Sequence, residues 1–246
     1  MKVSKILTII IVSMVIVLLG VSAFIVNGIY QNRKLFDAIE ESNIEKAQTA
    51  IDRGAWVNLH RHLIPIPELV YTNPTPLIEA CSNGNEQLVL LLLENGADVN
   101  KRDNCCGETP LLAALDGIKQ NRFSLAMKLI EKGADYNACR EGTNSPFQET
   151  LLVPYEDEES TIEEGFEFFV YLVEHDVDMS IYTSDGANAL TYAARFRNYN
   201  AVEYLVKNNY YDVNSRDEAG NTALDVASKY EQEKMVELLI SLGADK

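Results

Sequence analysis

Glu94-Asn95-Gly96-Ala97-Asp98-Val99-Asn100, followed eight residues later by Thr109-Pro110-Leu111-Leu112-Ala113-Ala114, is the stretch that decides the fold. Thr before Pro is a helix N-cap followed by a first-turn proline, where the missing N–H is no loss. The Leu pair and the Ala pair give one apolar helix face with small residues, which allows close packing on a neighbouring helix. Upstream, Leu88-Val89-Leu90-Leu91-Leu92-Leu93 is apolar nearly all round. A helix of that kind is sandwiched between neighbours. Gly96 stops it with a left-handed cap, and Asp98 and Asn100 favour turns. The unit therefore reads as cap, helix, turn, helix, glycine stop and loop.

Both phrases recur along the chain. The glycine phrase returns as Glu131-Lys132-Gly133-Ala134-Asp135-Tyr136-Asn137, and earlier as Asp52-Arg53-Gly54-Ala55-Trp56-Val57-Asn58. It returns last as Ser241-Leu242-Gly243-Ala244-Asp245-Lys246, with weaker copies at Glu174–Asp178 and Tyr211–Asn214. The helix-start phrase returns as Thr75-Pro76-Leu77-Ile78-Glu79-Ala80 and Thr222-Ala223-Leu224-Asp225-Val226-Ala227. A looser copy opens at Asn188-Ala189-Leu190, and a diverging one at Ser145-Pro146-Phe147. A repeated unit too small to bury its own apolar face must stack on its neighbours.

These phrases resemble the ankyrin repeat, with its period of about 33 residues and its Thr-Pro-Leu-His-x-Ala signature. The resemblance covers residues 31–246 as about six units, bounded near 31–58, 59–100, 101–137, 138–180, 181–214 and 215–246. It implies an all-α solenoid whose concave face, built of loops and first-helix side chains, binds a protein partner. The signature His is absent: Ile78, Leu112, Gln148, Thr191 and Asp225 stand in its place. That substitution removes a helix-to-loop hydrogen bond of the family. On matching first-helix positions the candidate partner-binding residues are Glu79, Ser82, Glu149, Tyr192, Arg195, Phe196 and Tyr230, with Tyr192 and Phe196 expected at the surface. Tyr and Arg are enriched among interface hot spots.

The first thirty residues are a separate object. Ile6 to Ile29 is a run of 24 residues without a charge. As a helix it covers roughly 36 Å, enough to cross a hydrocarbon core of about 30 Å with some tilt. Val21-Ser22-Ala23 also looks like a cleavage site of a secretory signal. The apolar run continues past it through Phe24-Ile25-Val26, which favours an uncleaved single-pass anchor over residues 1–30. Basic residues on the two flanks, Lys2 and Lys5 against Arg33 and Lys34, are nearly balanced. The short amino tail before one long domain favours the amino end inside and the repeats outside. Bacterial proteins of similar architecture, anchored or secreted, act as immunity or inhibitor partners for toxins. A secreted or periplasmic inhibitor after cleavage is accordingly the alternative reading.

Charge and composition exclude several function classes. Lys2 and Lys5 are the only charged residues before residue 31, which leaves 19 basic against 37 acidic residues beyond it. Such a domain repels phosphate, so nucleic-acid binding is disfavoured and a protein partner basic at its contact face is expected. Seven acids fall between Glu156 and Glu167 and read as a solvated insert between the two helices of the fourth unit. The insert Leu59–Tyr71 contains His60-x-His62, which no neighbouring ligand completes as a metal site, and reads as an apolar loop packed on the first repeats. Cys81 sits on a packed helix face. Cys105 or Cys106 lies one loop away from Cys139, so a bridge between those loops is within reach if the domain lies outside the cell. No nucleophile elbow, Walker loop or zinc-protease helix occurs, so neither an enzyme nor a cofactor is expected.

Overall fold

The helix starts carry the caps that the sequence offers. Thr75, Thr109, Ser145, Asn188 and Thr222 each have an extended backbone, and each side chain accepts the backbone N–H three residues on. Three of these starts use the position where the family carries His. Gln148 Oε1 accepts the N–H of Ser145 at 3.1 Å, Thr191 Oγ1 that of Asn188 at 3.0 Å, and Asp225 Oδ2 that of Thr222 at 2.9 Å. Each closes a reciprocal capping box. In the two earlier repeats Ile78 and Leu112 fill the position and are buried, Ile78 within the common core. The hydrogen bond lost with His is thus replaced by a local cap in three repeats and by packing in two.

A computed structural model describes residues 2–62, 73–117, 121–139, 145–152, 159–180 and 186–245. Among these residues all regular structure is helical. The order is α1 (Lys2–Glu40), α2 (Ile44–Asp52), α3 (Pro76–Ser82), α4 (Glu86–Glu94), α5 (Pro110–Asp116) and α6 (Arg122–Glu131). There follow α7 (Pro146–Leu151), α8 (Glu159–Glu174), α9 (Ala189–Arg195), α10 (Tyr199–Lys207), α11 (Ala223–Lys229) and α12 (Glu233–Ser241). They stack in two layers. The end of α1 and then α3, α5, α7, α9 and α11 form the first; α4, α6, α8, α10 and α12 line up behind them, with α2 against α4.

One apolar core runs the length of the stack between the layers. Leu35, Leu77, Leu111, Phe147 and Leu190 supply it from the first layer, and Leu88, Leu92, Leu129, Phe168, Leu172, Leu205 and Leu239 from the second. Small residues at Ala80, Ala113, Ala193 and Ala227 let successive first helices approach closely. Gly54, Gly96, Gly133 and Gly243 end second helices with φ between 83° and 99°. That is a left-handed conformation which costs glycine little.

The loops are tied by a ladder of asparagines. Asn58 donates to Gly96 O at 2.9 Å and accepts from Asp98 N at 2.7 Å. Asn100 repeats this with Gly133 O and Asp135 N at 2.9 and 2.8 Å. Asn137 accepts from Asp178 N and Asn214 from Asp245 N, each at 2.9 Å. Each rung satisfies backbone groups that the end of a second helix leaves open.

Two features depart from the sequence reading. α1 does not break at residue 30; it continues to Glu40, and its last turns belong to the first layer. Four acids of the acidic run, Glu159, Glu163, Glu164 and Glu167, belong to α8 itself, which has 16 residues where α4 and α10 have nine. All four cysteines are free thiols. The insert after His62 lies outside the described residues up to residue 72, and so do residues 153–158.

Candidate functional site

The seven residues singled out on the first helices fall into two groups. At the N-terminal end, Glu79 is engaged within the chain. Arg61 spans the first two repeats, with Nη1 2.6 Å from Glu40 Oε1 and Nη2 3.4 Å from Glu79 Oε1. Its guanidinium also covers the Phe36 ring at 4.8 Å. Ser82 is half-buried at the end of α3. A side-chain carbon on Gly117 would lie 2.7 Å from Ser82 O, so this edge is closed by the next repeat. Glu149 is half-buried on α7, between the two groups.

At the C-terminal end, four of the seven come together. The Phe196 ring is 4.8 Å from that of Tyr192, and the Arg195 guanidinium lies over the Tyr230 ring at 5.8 Å. Lys229 Nζ approaches the same ring at 5.9 Å. Phe196 and Tyr230 are exposed at 38% and 45%. Tyr192 corrects the sequence expectation: it is 5% exposed and belongs to the core. It lies on the α9 face turned into the stack and supports Phe196 from beneath. Cation–π stacking holds Tyr230 and the two cations in one layer. The surface is an aromatic and cationic patch across α9 and α11, tied down by Gln232 Nε2, which donates to Arg195 O at 2.7 Å.

A second concavity escaped the sequence reading. The long α8 overhangs the turn before α10, leaving a groove of about 650 Å³ lined by Ile162, Phe166, Arg197, Tyr199, Glu203 and Lys234. The signal for it was the surplus of residues between Ser145 and Asn188. Exposed Glu163 and Glu167 lie on this second layer, on the opposite side of the core from Phe196 and Tyr230.

Two other clusters have structural explanations. His60 Nε2 meets Arg102 O at 3.0 Å and ties the second repeat's loop to the third, while the His62 N–H donates to Asn73 Oδ1 at 2.8 Å and closes the loop on itself. Asp103, Cys106 and Glu108 bring ligand atoms within 4.8 Å of one another. Asp103 Oδ1 accepts from the N–H of Cys106 and of Glu108 at 3.0 and 2.9 Å, and the Cys106 thiol donates to Oδ2 at 3.3 Å. Burial pushes the Asp103 carboxyl up, but these hydrogen bonds outweigh it and hold it below its usual range. Burial and the same carboxylate push the Cys106 thiol up. That disfavours the thiolate needed of a metal ligand or nucleophile. Asp217 organises the corresponding loop of the last repeat in the same way, accepting from Asn221 N at 2.8 Å. These hydrogen bonds make the cluster a loop-closing device.

Known proteins place the chain among repeat proteins. A family model described as ankyrin repeats (3 copies) matches residues 35–139 and 161–246. An ankyrin repeat protein of Rickettsia bellii is 33% identical over 117 residues, which is 42% of this chain and 48% of that protein. The ankyrin repeat and KH domain-containing protein mask-1 of Caenorhabditis elegans is 32% identical over 183 residues, 73% of this chain and 6% of that protein. An ankyrin repeat protein of Fowlpox virus is 29% identical over 122 residues, 50% of this chain and 33% of that protein. The chain thus spans half or less of the length of each of these relatives. With the stacked helix pairs, the glycine stops and the asparagine ladder, the family match shows that this chain belongs to the ankyrin-repeat family.

Proposed function

We propose that the protein is a membrane-tethered interaction module that binds a protein partner through the first-helix face of its stack. The observation that carries this reading is the patch of Phe196 and Tyr230, exposed beside Arg195 and Lys229 where α9 and α11 end. Large aromatic side chains that lose little freedom on binding, beside an arginine, have the composition of an interface hot spot. Tethering is supported by α1. Between Ile11 and Glu40 it contains a stretch of 18 residues with a mean hydropathy of 2.4 that is almost wholly unburied by the rest of the chain. The Ser22 hydroxyl is satisfied within the helix by Leu18 O at 2.7 Å, as a hydroxyl in lipid requires.

Charge assigns the partner's character at long range. The excess of acid beyond residue 30 attracts a basic partner at long range and sets the association rate, while Phe196 and Tyr230, beside Arg195 and Lys229, hold an apolar spot on it where the partner's own basic charge is absent. The test uses the full chain in lipid nanodiscs as bait, beside a Phe196→Ala/Tyr230→Ala variant with unchanged circular dichroism. A partner retained by the wild type and lost with the variant supports the reading. A partner that binds both equally would move the site to the α8–α10 groove. Changing Glu163 and Glu167 to Lys should slow association at low salt and flatten its salt dependence.

A further inference from the structure

The apolar run ends at Ile29, but the helix that carries it does not. α1 continues without interruption to Glu40, and Leu35, Ala38 and Ile39 are fully buried in the common core. The segment fit to cross a membrane and the first helix of the stack are therefore one rod. From the end of α1 the chain turns, and α2 runs back alongside it for nine residues, roughly 13 Å. Its exit loop returns to the level of Gly28. Three contacts fix it there. Asn27 Nδ2 donates to Arg53 O at 2.8 Å, and the Trp56 and Phe24 ring centroids are 6.0 Å apart. The indole also lies against Gly28 so closely that a side-chain carbon there would sit 2.5 Å from Trp56 Cζ2.

We infer that the first repeat is seated in the membrane interface, with Trp56 at the boundary of headgroups and acyl chains. The rest of the stack extends from it along the bilayer surface. This rests on the anchor reading above. Tryptophan, apolar in body and with one N–H, concentrates at that boundary. Here it stands at the last apolar turn of α1, next to the exposed Arg53. Direction follows from the ladder. Asn58, two residues beyond Trp56, holds Gly96 and Asp98 of the next loop, and each later rung hands on to the next repeat. The first helices pack side by side with α1, so the stacking direction crosses the membrane normal and the loop row faces lipid. That row carries Glu94, Asp98, Asp103, Glu131 and Asp135 against Lys101, Arg102 and Lys132, a slight excess of acid that gives anionic lipid no hold on the later repeats, so they stand off while the first is held. Phe196 and Tyr230, which follow the C-terminal ends of α9 and α11, then lie on the edge away from the membrane, open to a partner.

Trp56 is the sole tryptophan of the chain, so its emission reports this one position. The full chain is reconstituted into vesicles of phosphatidylcholine and phosphatidylglycerol and floated on a density gradient. Emission is then read with phosphatidylcholine brominated near the headgroup or near the chain terminus, and with aqueous iodide. We expect the protein to float, with loss of emission strongest for the shallow bromolipid and little loss with iodide. Failure to float would overturn the anchor reading itself. Floating with iodide quenching and no bromolipid quenching would leave the anchor standing and overturn the seat of the first repeat. Gly28→Leu displaces the indole, and should reduce shallow bromolipid quenching while the protein still floats; unchanged quenching would show that the Gly28 contact does not set the depth. Cysteine labels at Ala219 and at Glu231, at the two ends of α11 in the same repeat, with Cys105, Cys106 and Cys139 changed to Ser, test the orientation. Energy transfer to a headgroup acceptor should be larger from position 219, and equal transfer would overturn the broadside arrangement.

Discussion

The clearest single-residue roles belong to polar side chains in the loops. Asn100 makes two bonds across a repeat boundary, to Gly133 O and from Asp135 N, at 2.9 and 2.8 Å. Asn100→Ala leaves both backbone groups without that partner and should lower stability by about 2 kcal/mol, read by urea unfolding of the full chain in detergent. Asp103 acts through its charge. Its carboxyl is held below the ordinary value in the folded chain, so its contribution is complete above about pH 4 and is lost as pH falls through the folded value. The stability gap between the wild type and Asp103→Ala should therefore be constant between pH 5 and 7 and narrow below about pH 4. A gap that widened on acidification would contradict this. Asn100 was legible as a turn former but its partners were not, and the role of Asp103 was not legible at all. The Asn100 bonds cross some thirty residues of sequence, and the Asp103 loop is one residue longer than its counterpart at Asp217. Tyr192 was misread for a related reason: helical spacing places a residue on a face, but whether the ring turns inward depends on the neighbouring repeat.

Individual elements are set by small residues as much as by large ones. α5 ends at Gly117, where a side-chain carbon would stand 2.7 Å from Ser82 O and 2.9 Å from Ala113 O. Both are backbone atoms that cannot swing away. Gly117→Ala should separate α3 from α5 and cost about 1–3 kcal/mol, visible as a lower midpoint of unfolding with helix content retained. Sequence reading gave the starts and stops of these helices because caps, first-turn prolines and glycine stops are local signals. It placed a boundary at residue 30, where α1 has none. The apolar run ends there but the helix does not, and Gly28 within it admits the Trp56 ring. The acids of α8 were read as a solvated insert because a charge run carries no helical signal by itself. Phe168, Phe169 and Leu172 on the same helix are what bury it.

For the whole molecule, stability is a sum over repeats and the contacts between neighbours, so the weakest boundary decides where the stack divides. The asparagine ladder has rungs from Asn58, Asn100, Asn137 and Asn214, but Ser180 occupies the matching position between the fourth and fifth repeats. Aromatic packing takes over at that boundary. Tyr204 of α10 meets Phe166 and Phe169 of α8 edge-on at 6.0 and 5.7 Å, and its hydroxyl donates to Glu174 at 3.2 Å. Asn198 adds a bond to Thr150 O at 3.0 Å. Removing the ring by Tyr204→Ala should cost about 2–4 kcal/mol and fall almost wholly on this one interface. The cooperative transition should then separate into two, with hydrogen exchange faster in residues 186–245 than in the repeats before them. Ser180→Asn supplies the side chain that the other boundaries use, with Asp212 N in the place of the acceptor's partner. Added to Tyr204→Ala, it should draw the two transitions back together by about 0.5–1.5 kcal/mol. A Tyr204→Ala chain that still unfolds in one transition would mean that the boundary between the fourth and fifth repeats is no weaker than its neighbours. Cooperativity would then rest on the continuous apolar core and not on the loop row.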